Sequence, residues 1–211
     1  MHPSRLVVLL SGNGTNLQAI LDACASGKVN AKVAAVVSDK ADAYGLVRAH
    51  NAGIQAIHLP TLASESRRDY DARLAEMILT YVPHYVVLAG WMRILTSAFL
   101  NHFPNRVVNL HPALPGAFPG THAIRRAFEA YQRGEIQHTG IMVHLVPDEG
   151  VDNGPVLATE IVPIRRDDTL ESLEARVHEK EHDLLVSMLK TLTTKNMKWH
   201  NGRPFVPLRD Q

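Results

Sequence analysis

The chain has 211 residues, enough for one full-sized domain with a substantial core and at most two small ones. Its 22 Lys and Arg balance 21 Asp and Glu, which excludes the bulk basic charge that draws a protein onto nucleic acid or an anionic membrane. A hydrophobic content of 45% is ordinary for a globular protein, and the single cysteine, Cys24, excludes an intramolecular disulfide framework and fits a reducing cytoplasm.

Leu6 to Leu10 is a continuous apolar run, too short for a signal-peptide core or a membrane span, and reads as a buried strand. It ends at Ser11-Gly12-Asn13-Gly14-Thr15-Asn16, after which Leu17, Ile20, Leu21 and Cys24 recur at helical spacing. Val33 to Val37 reads as a second strand, and Tyr44 to Ala52 as a short helix ended by Gly53. Asp69 to Tyr81 is a longer helix stopped by Pro83, followed by a strand over Tyr85 to Leu88. A loop from Ala89 to Leu95 and a short helix around Thr96 to Asn101 lead to a strand over Val107 to Leu110. Strands alternating with helices predict a doubly wound, mostly parallel α/β sheet with helices on both faces.

Beyond this point Ile124 to Tyr131 reads as a helix, and Ile141 to Val146 and Val156 to Val162 as strands. The acidic segment between those two strands is too short for a crossover helix and predicts an antiparallel extension of the sheet. Thr169 is the expected N-cap of a long helix running to about Leu192. We read the chain as one domain, with residues 1–105 as a phosphate-binding half, 106–195 as a catalytic half and 196–211 as a polar tail.

Four constellations could carry chemistry. Glycines in Ser11 to Asn16 allow close backbone approach, and the free amides of the helix start form an anion site. The segment lacks the third glycine of a dinucleotide fingerprint and the Lys-Ser/Thr of a Walker loop, and a plain strand-to-helix turn is its alternative reading. Asn109 and His111, two positions apart on a strand, face the same side and can serve one oxygen, just before a rigid proline and glycine loop from Pro112 to Gly120. Asp148, Glu149 and Asp152 could supply a carboxylate that raises the His111 pKa and orients the ring; a solvated surface loop is the alternative. His178-Glu179-Lys180-Glu181-His182 matches the helical zinc-protease pattern, but no third ligand accompanies it, and no metal is expected.

Five motifs in a fixed order then matter together. They are Ser11 to Ile20, Lys40-Ala41-Asp42-Ala43-Tyr44-Gly45-Leu46, Leu88 to Leu95, Asn109-Leu110-His111-Pro112 and Asp152-Asn153-Gly154-Pro155. With them the chain resembles the phosphoribosylglycinamide formyltransferases, folate-dependent enzymes of purine synthesis with a Rossmann-like fold, from the first strand to about the end of the long helix. The resemblance implies that Gly14, Thr15 and Asn16 hold the phosphate of glycinamide ribonucleotide, and that His178 and Glu181 reach its ribose and glycinamide end. It implies a folate pocket for the co-substrate 10-formyltetrahydrofolate, lined by Arg67, Met92, Arg93, Ile94, Leu95, Asn109, Asp148, Glu149, Gly150, Val151 and Asp152. Asn109, His111 and Asp152 match the family's catalytic three, with Asp152 keeping His111 protonated. The expected partners are these two small molecules, with no nucleic acid or membrane, and the expected state is a cytoplasmic monomer or homodimer.

Three departures from the family pattern bear on the site. Ala113-Leu114-Pro115-Gly116-Ala117-Phe118 stands where Ser-Leu-Leu-Pro-Lys-Tyr is usual, moving a proline and losing a basic residue, which leaves open the loop's path and any cis peptide in it. The segment from His144 to Asp152 is one residue longer than usual, and Ile141-Met142 replace small hydroxyl residues. Competing readings are a formyltetrahydrofolate hydrolase, a methionyl-tRNA or sugar-nucleotide formyltransferase, and a phosphate-binding module without catalysis.

Overall fold

The computed structural model describes residues 2–194 together with the short segments 198–200 and 203–205. Alternating strands and helices run β1 (Ser4–Leu10), α1 (Thr15–Ala25), β2 (Ala31–Ser38), α2 (Tyr44–Asn51), β3 (Gln55–His58), α3 (Arg67–Leu79), β4 (Tyr85–Leu88), α4 (Ser97–Leu100) and β5 (Val107–His111). There follow α5 (Ala123–Gln132), β6 (His138–Leu145), β7 (Val156–Pro163), α6 (Leu170–Leu192), β8 (Lys198–His200) and β9 (Arg203–Phe205). The main sheet has the order β3-β2-β1-β4-β5-β6-β7. Its first five strands are parallel, and β6 and β7 are antiparallel, as the acidic connection between them predicts.

The apolar run Leu6 to Leu10 is wholly buried because β1 lies in the middle of the sheet with helices on both faces. Its side chains alternate: Leu6, Val8 and Leu10 join the core under α1 and α6, whereas Val7 and Leu9 join the core under α3 and α4. Thr169 caps α6 as expected, its hydroxyl accepting from the Ser172 N–H at 3.2 Å while Ser172 Oγ accepts from the Thr169 N–H at 3.1 Å. The strand β3 has no counterpart in the sequence reading. At four half-exposed residues on the sheet edge it is too short for a clear alternation signal.

No helix among the described residues is long and apolar enough to cross a membrane. The polar tail lies largely outside the described residues, and the parts that are described pair as the antiparallel strands β8 and β9.

Candidate active site

The chain reverses its direction of sheet growth between β1 and β4, so the carboxyl ends of these strands open a crevice, the usual ligand position in an open α/β sheet. One hydroxyl ties its edges together. Ser11 Oγ donates to Asp39 Oδ1 at 2.7 Å and accepts from the Met92 N–H at 3.0 Å, and the Ser11 N–H donates to the Gly90 carbonyl at 2.9 Å. The loops after β1, β2 and β4 are thereby fixed relative to one another.

Gly14 sits at the start of α1 with φ +76°, and a Cβ there would lie 2.7 Å from the Gly45 Cα. That close approach brings the start of α2 against the glycine loop, where the Gly45 N–H donates to the Gly12 carbonyl at 3.1 Å. Arg48 of α2 braces the same loop, donating through Nε to the Asn13 carbonyl and through Nη2 to Asn13 Oδ1, both at 2.9 Å. Gly14→Ala combines a left-handed backbone with a clash against backbone, and is expected to weaken binding of a phosphorylated ligand by about tenfold or more, measured by calorimetry.

On α6, His178 Nδ1 lies 2.7 Å from Glu181 Oε2, and Asn16 Nδ2 donates to the same oxygen at 3.4 Å. Asn16, Glu181 and His178 thus join the glycine loop to the middle of α6. The Glu181 hydrogen bond raises the His178 pKa against the effect of burial, so this half-exposed ring keeps a positive charge to higher pH beside the glycine loop.

Asn109 and His111 leave the carboxyl end of β5 on one face, and Asp152 meets both. Asn109 Nδ2 donates to Asp152 Oδ1 at 3.1 Å, and His111 Nδ1 lies 3.3 Å from Asp152 Oδ2. The Gly120 N–H donates to the same Oδ2 at 2.8 Å, and His111 Nε2 lies 3.1 Å from the Phe118 carbonyl. Antiparallel pairing sets His144 opposite Asn109, with its Nε2 3.1 Å from Asn109 Nδ2. The Leu145 carbonyl, 2.8 Å from His144 Nδ1, can only accept, so in a neutral ring Nδ1 carries the proton and Nε2 takes the second amide hydrogen of Asn109.

Burial opposes ionisation of Asp152, but the nearby His144 ring, the Gly120 amide that donates to it and the neighbouring His111 hold its carboxyl below the ordinary range. His111 departs from expectation. Its burial outweighs the upward pull of Asp152 and of the Phe118 carbonyl, and His144 and Arg126 add to the downward side, so the His111 pKa lies below its usual value of 6.5. Desolvation thus shifts the ring toward its neutral form in the free protein. The expectation that Asp152 keeps it protonated took account of the ion pair and omitted desolvation.

Among the residues expected to line a folate pocket, Glu149 ties the loop after β6 to α3 and α4, accepting from Arg67 Nη2 at 3.0 Å and from the Ser97 N–H at 2.9 Å. Asp148 Oδ1 accepts from the Gly150 N–H at 2.8 Å and shapes the acidic turn. Arg93 stacks on the Tyr70 ring at 4.2 Å and donates to Thr61 Oγ1 at 3.2 Å. Met92, Ile94 and Val151 expose large apolar side chains, whereas Leu95 is buried in the core beside Phe99.

A formyl transferase family model matches residues 4–189. The chain belongs to the formyl transferase family. It is 46% identical over 203 residues to a phosphoribosylglycinamide formyltransferase of Dictyostelium discoideum, covering 90% of this chain and 98% of that one. Identity to the Escherichia coli protein of the same name is 44% over 197 residues, covering 93% and 91%. Among solved structures, glycinamide ribonucleotide transformylase 1 from Symbiobacterium toebii superposes with a TM-score of 0.89 at 41% identity, over 97% of this chain and 94% of that one.

Within this formyl transferase, the proline loop has a definite path. A turn closes with the Ala117 N–H on the Leu114 carbonyl at 3.0 Å, Phe118 and His122 take positive φ, and the described residues contain no cis peptide. Ile141 and Met142 are fully buried in β6. Sequence reasoning gave His144 no role, and named Ser11 only as the first residue of the glycine loop, without its bridge to Asp39 and Met92. The signal for His144 was a lone titratable residue in the otherwise apolar run Ile141 to Val146, which a buried strand keeps only with partners. His144→Ala strips an acceptor from the buried Asn109 amide and is expected to lower the unfolding free energy by about 1–3 kcal/mol in urea titrations.

Proposed function

We propose that the protein is a phosphoribosylglycinamide formyltransferase that transfers the formyl group of 10-formyltetrahydrofolate to the amine of glycinamide ribonucleotide. The observation that carries this reading is the meeting of Asn109, His111 and the ionised Asp152 at the end of β5, in the crevice that also holds the glycine loop. Gly14, Thr15 and Asn16 take the phosphate at the start of α1, with His178, whose pKa the Glu181 hydrogen bond raises, beside them, and Glu181 faces the rest of that substrate. Residues 1–105 then supply most of the phosphate site and 106–195 the reacting groups, within one domain.

The folate fits the residues present. Exposed Met92, Ile94 and Val151 offer apolar contact to a flat ring, and Arg67 and Arg93 offer guanidinium groups to carboxylates. The bound folate supplies the formyl carbon and its oxygen. Asn109 through Nδ2 and His111 through Nε2 are the donors for the oxygen on which negative charge gathers as the amine adds. At rest both are engaged, Asn109 with Asp152 and His144 and His111 with the Phe118 carbonyl, so each exchanges an internal bond for one to substrate. A neutral His111 has a single N–H for two oxygen neighbours, and a nearby anion in a low-dielectric site favours uptake of the second proton. Asp152 is the base placed to take the proton that the amine loses and to pass it to the departing nitrogen, so the proton count closes.

Purified protein mixed with 10-formyltetrahydrofolate and glycinamide ribonucleotide is expected to form the formylated product and tetrahydrofolate. Formate release that does not depend on the amine substrate would identify a hydrolase, and binding without turnover a non-catalytic module.

A further inference from the structure

We propose that Arg126 of α5 is a positioning residue that clamps the proline loop onto the His111–Asp152 pair; the proposal rests on the transfer reading above. From Pro112 to Thr121 the loop has no basic residue of its own. Its first part is held by packing, with Ala113 fully buried and Leu114 against Gly140. Its second part has no such support. Pro115, Gly116 and Pro119 are exposed, and Pro119 and Gly120 form one wall of an open cleft of about 790 Å³ that Arg126 also lines. Phe118 and His122 are held at φ +46° and +56°, conformations that L residues seldom adopt without outside constraint.

Arg126 supplies that constraint. Its Nη2 donates to the Phe118 carbonyl at 2.8 Å and to the Pro119 carbonyl at 2.6 Å, and its guanidinium lies 6.0 Å from the Phe118 ring centroid. The two carbonyls it grips flank the contacts that the loop makes with the reacting groups. The Phe118 carbonyl also faces His111 Nε2, and the next amide in the chain, that of Gly120, donates to Asp152 Oδ2. One side chain thus sets where the loop oxygen and the loop N–H stand relative to both titratable groups. Both bonds leave the single nitrogen Nη2, so a lysine ammonium has the donors for them but not the same reach or the flat contact with Phe118, and can replace the clamp only in part.

The groups facing His111 are Asp152, His144, the Phe118 carbonyl and Arg126. Loss of the clamp opens the ring to water and removes a nearby positive charge, both of which raise its titration midpoint, while a loosened Phe118 carbonyl lowers it; relief of desolvation, the largest influence on the ring, sets the net rise. For Arg126→Ala we expect kcat for transfer to fall about 10- to 100-fold, since small displacements of positioned groups are costly, with little change in KM for the phosphorylated substrate, which is held at α1. Arg126→Lys should fall between the two proteins. In NMR titrations of the unliganded proteins, the His111 midpoint should rise in Arg126→Ala. Unchanged kcat with an unchanged His111 midpoint in both variants would overturn the proposal, even if stability fell. The titration needs no turnover, so an inactive wild-type protein would refute the transfer reading while the midpoint still decides the role of Arg126.

Discussion

Replacing Asp152 with Asn is expected to lower kcat for formyl transfer by about three orders of magnitude, within the range for loss of a positioned general base. Asp152 accepts at both oxygens, from the Asn109 amide at Oδ1 and from the Gly120 amide at Oδ2, with His111 Nδ1 3.3 Å from Oδ2. A carboxamide cannot replace it in either orientation, because its NH2 would face Asn109 in one and the Gly120 N–H in the other. The same change removes the main influence that raises the His111 pKa, so the midpoint should fall further in Asp152→Asn. Steady-state kinetics and NMR titration of the ring check the two effects separately. A His111 midpoint above 6.5 in the wild-type protein would contradict the electrostatic account.

His111→Ala is expected to lower kcat by about 10²- to 10³-fold, the cost of removing one oxyanion donor from a preorganised site. Substrate binding should change much less, because the proposed phosphate contacts lie at the glycine loop after β1 rather than at β5. The ring also has a signature in stability. Its folded pKa lies below the unfolded value near 6.5, so the unfolded chain binds more protons between the two. His111 therefore costs nothing above that pH and destabilises the fold progressively as pH falls below it. In His111→Ala, urea unfolding between pH 7 and pH 5 should lose part of the wild-type decline.

The sheet was legible in the chain because its strands are apolar runs between glycine and proline stops, and because a buried parallel strand leaves that trace. The edge strand β3 was not, since at four half-exposed residues it shows neither a run nor an alternation. Asn109 and His111 could be read as a pair from strand geometry alone. Asp152 could be offered as their partner but not placed, because sequence does not state how a loop folds back. The sign of the His111 shift required burial, a property of the packed protein. His144 needed the register of β5 against β6, which brings it opposite Asn109, and Arg126 needed the loop path that puts two carbonyls within its reach. What sequence conveys well is local pattern, and what it missed here are contacts set by tertiary approach.

The central claim is that Asn109, His111 and Asp152 together perform the transfer. Its most direct test is a single-turnover reaction with 10-formyltetrahydrofolate carrying 13C in the formyl group and glycinamide ribonucleotide as acceptor. The wild-type protein is expected to place the label on the acceptor amine. The Asn109→Ala, His111→Ala, Asp152→Asn triple variant should still bind the phosphorylated substrate while the label stays on the folate. Transfer by the folded triple variant at the wild-type rate would contradict the account.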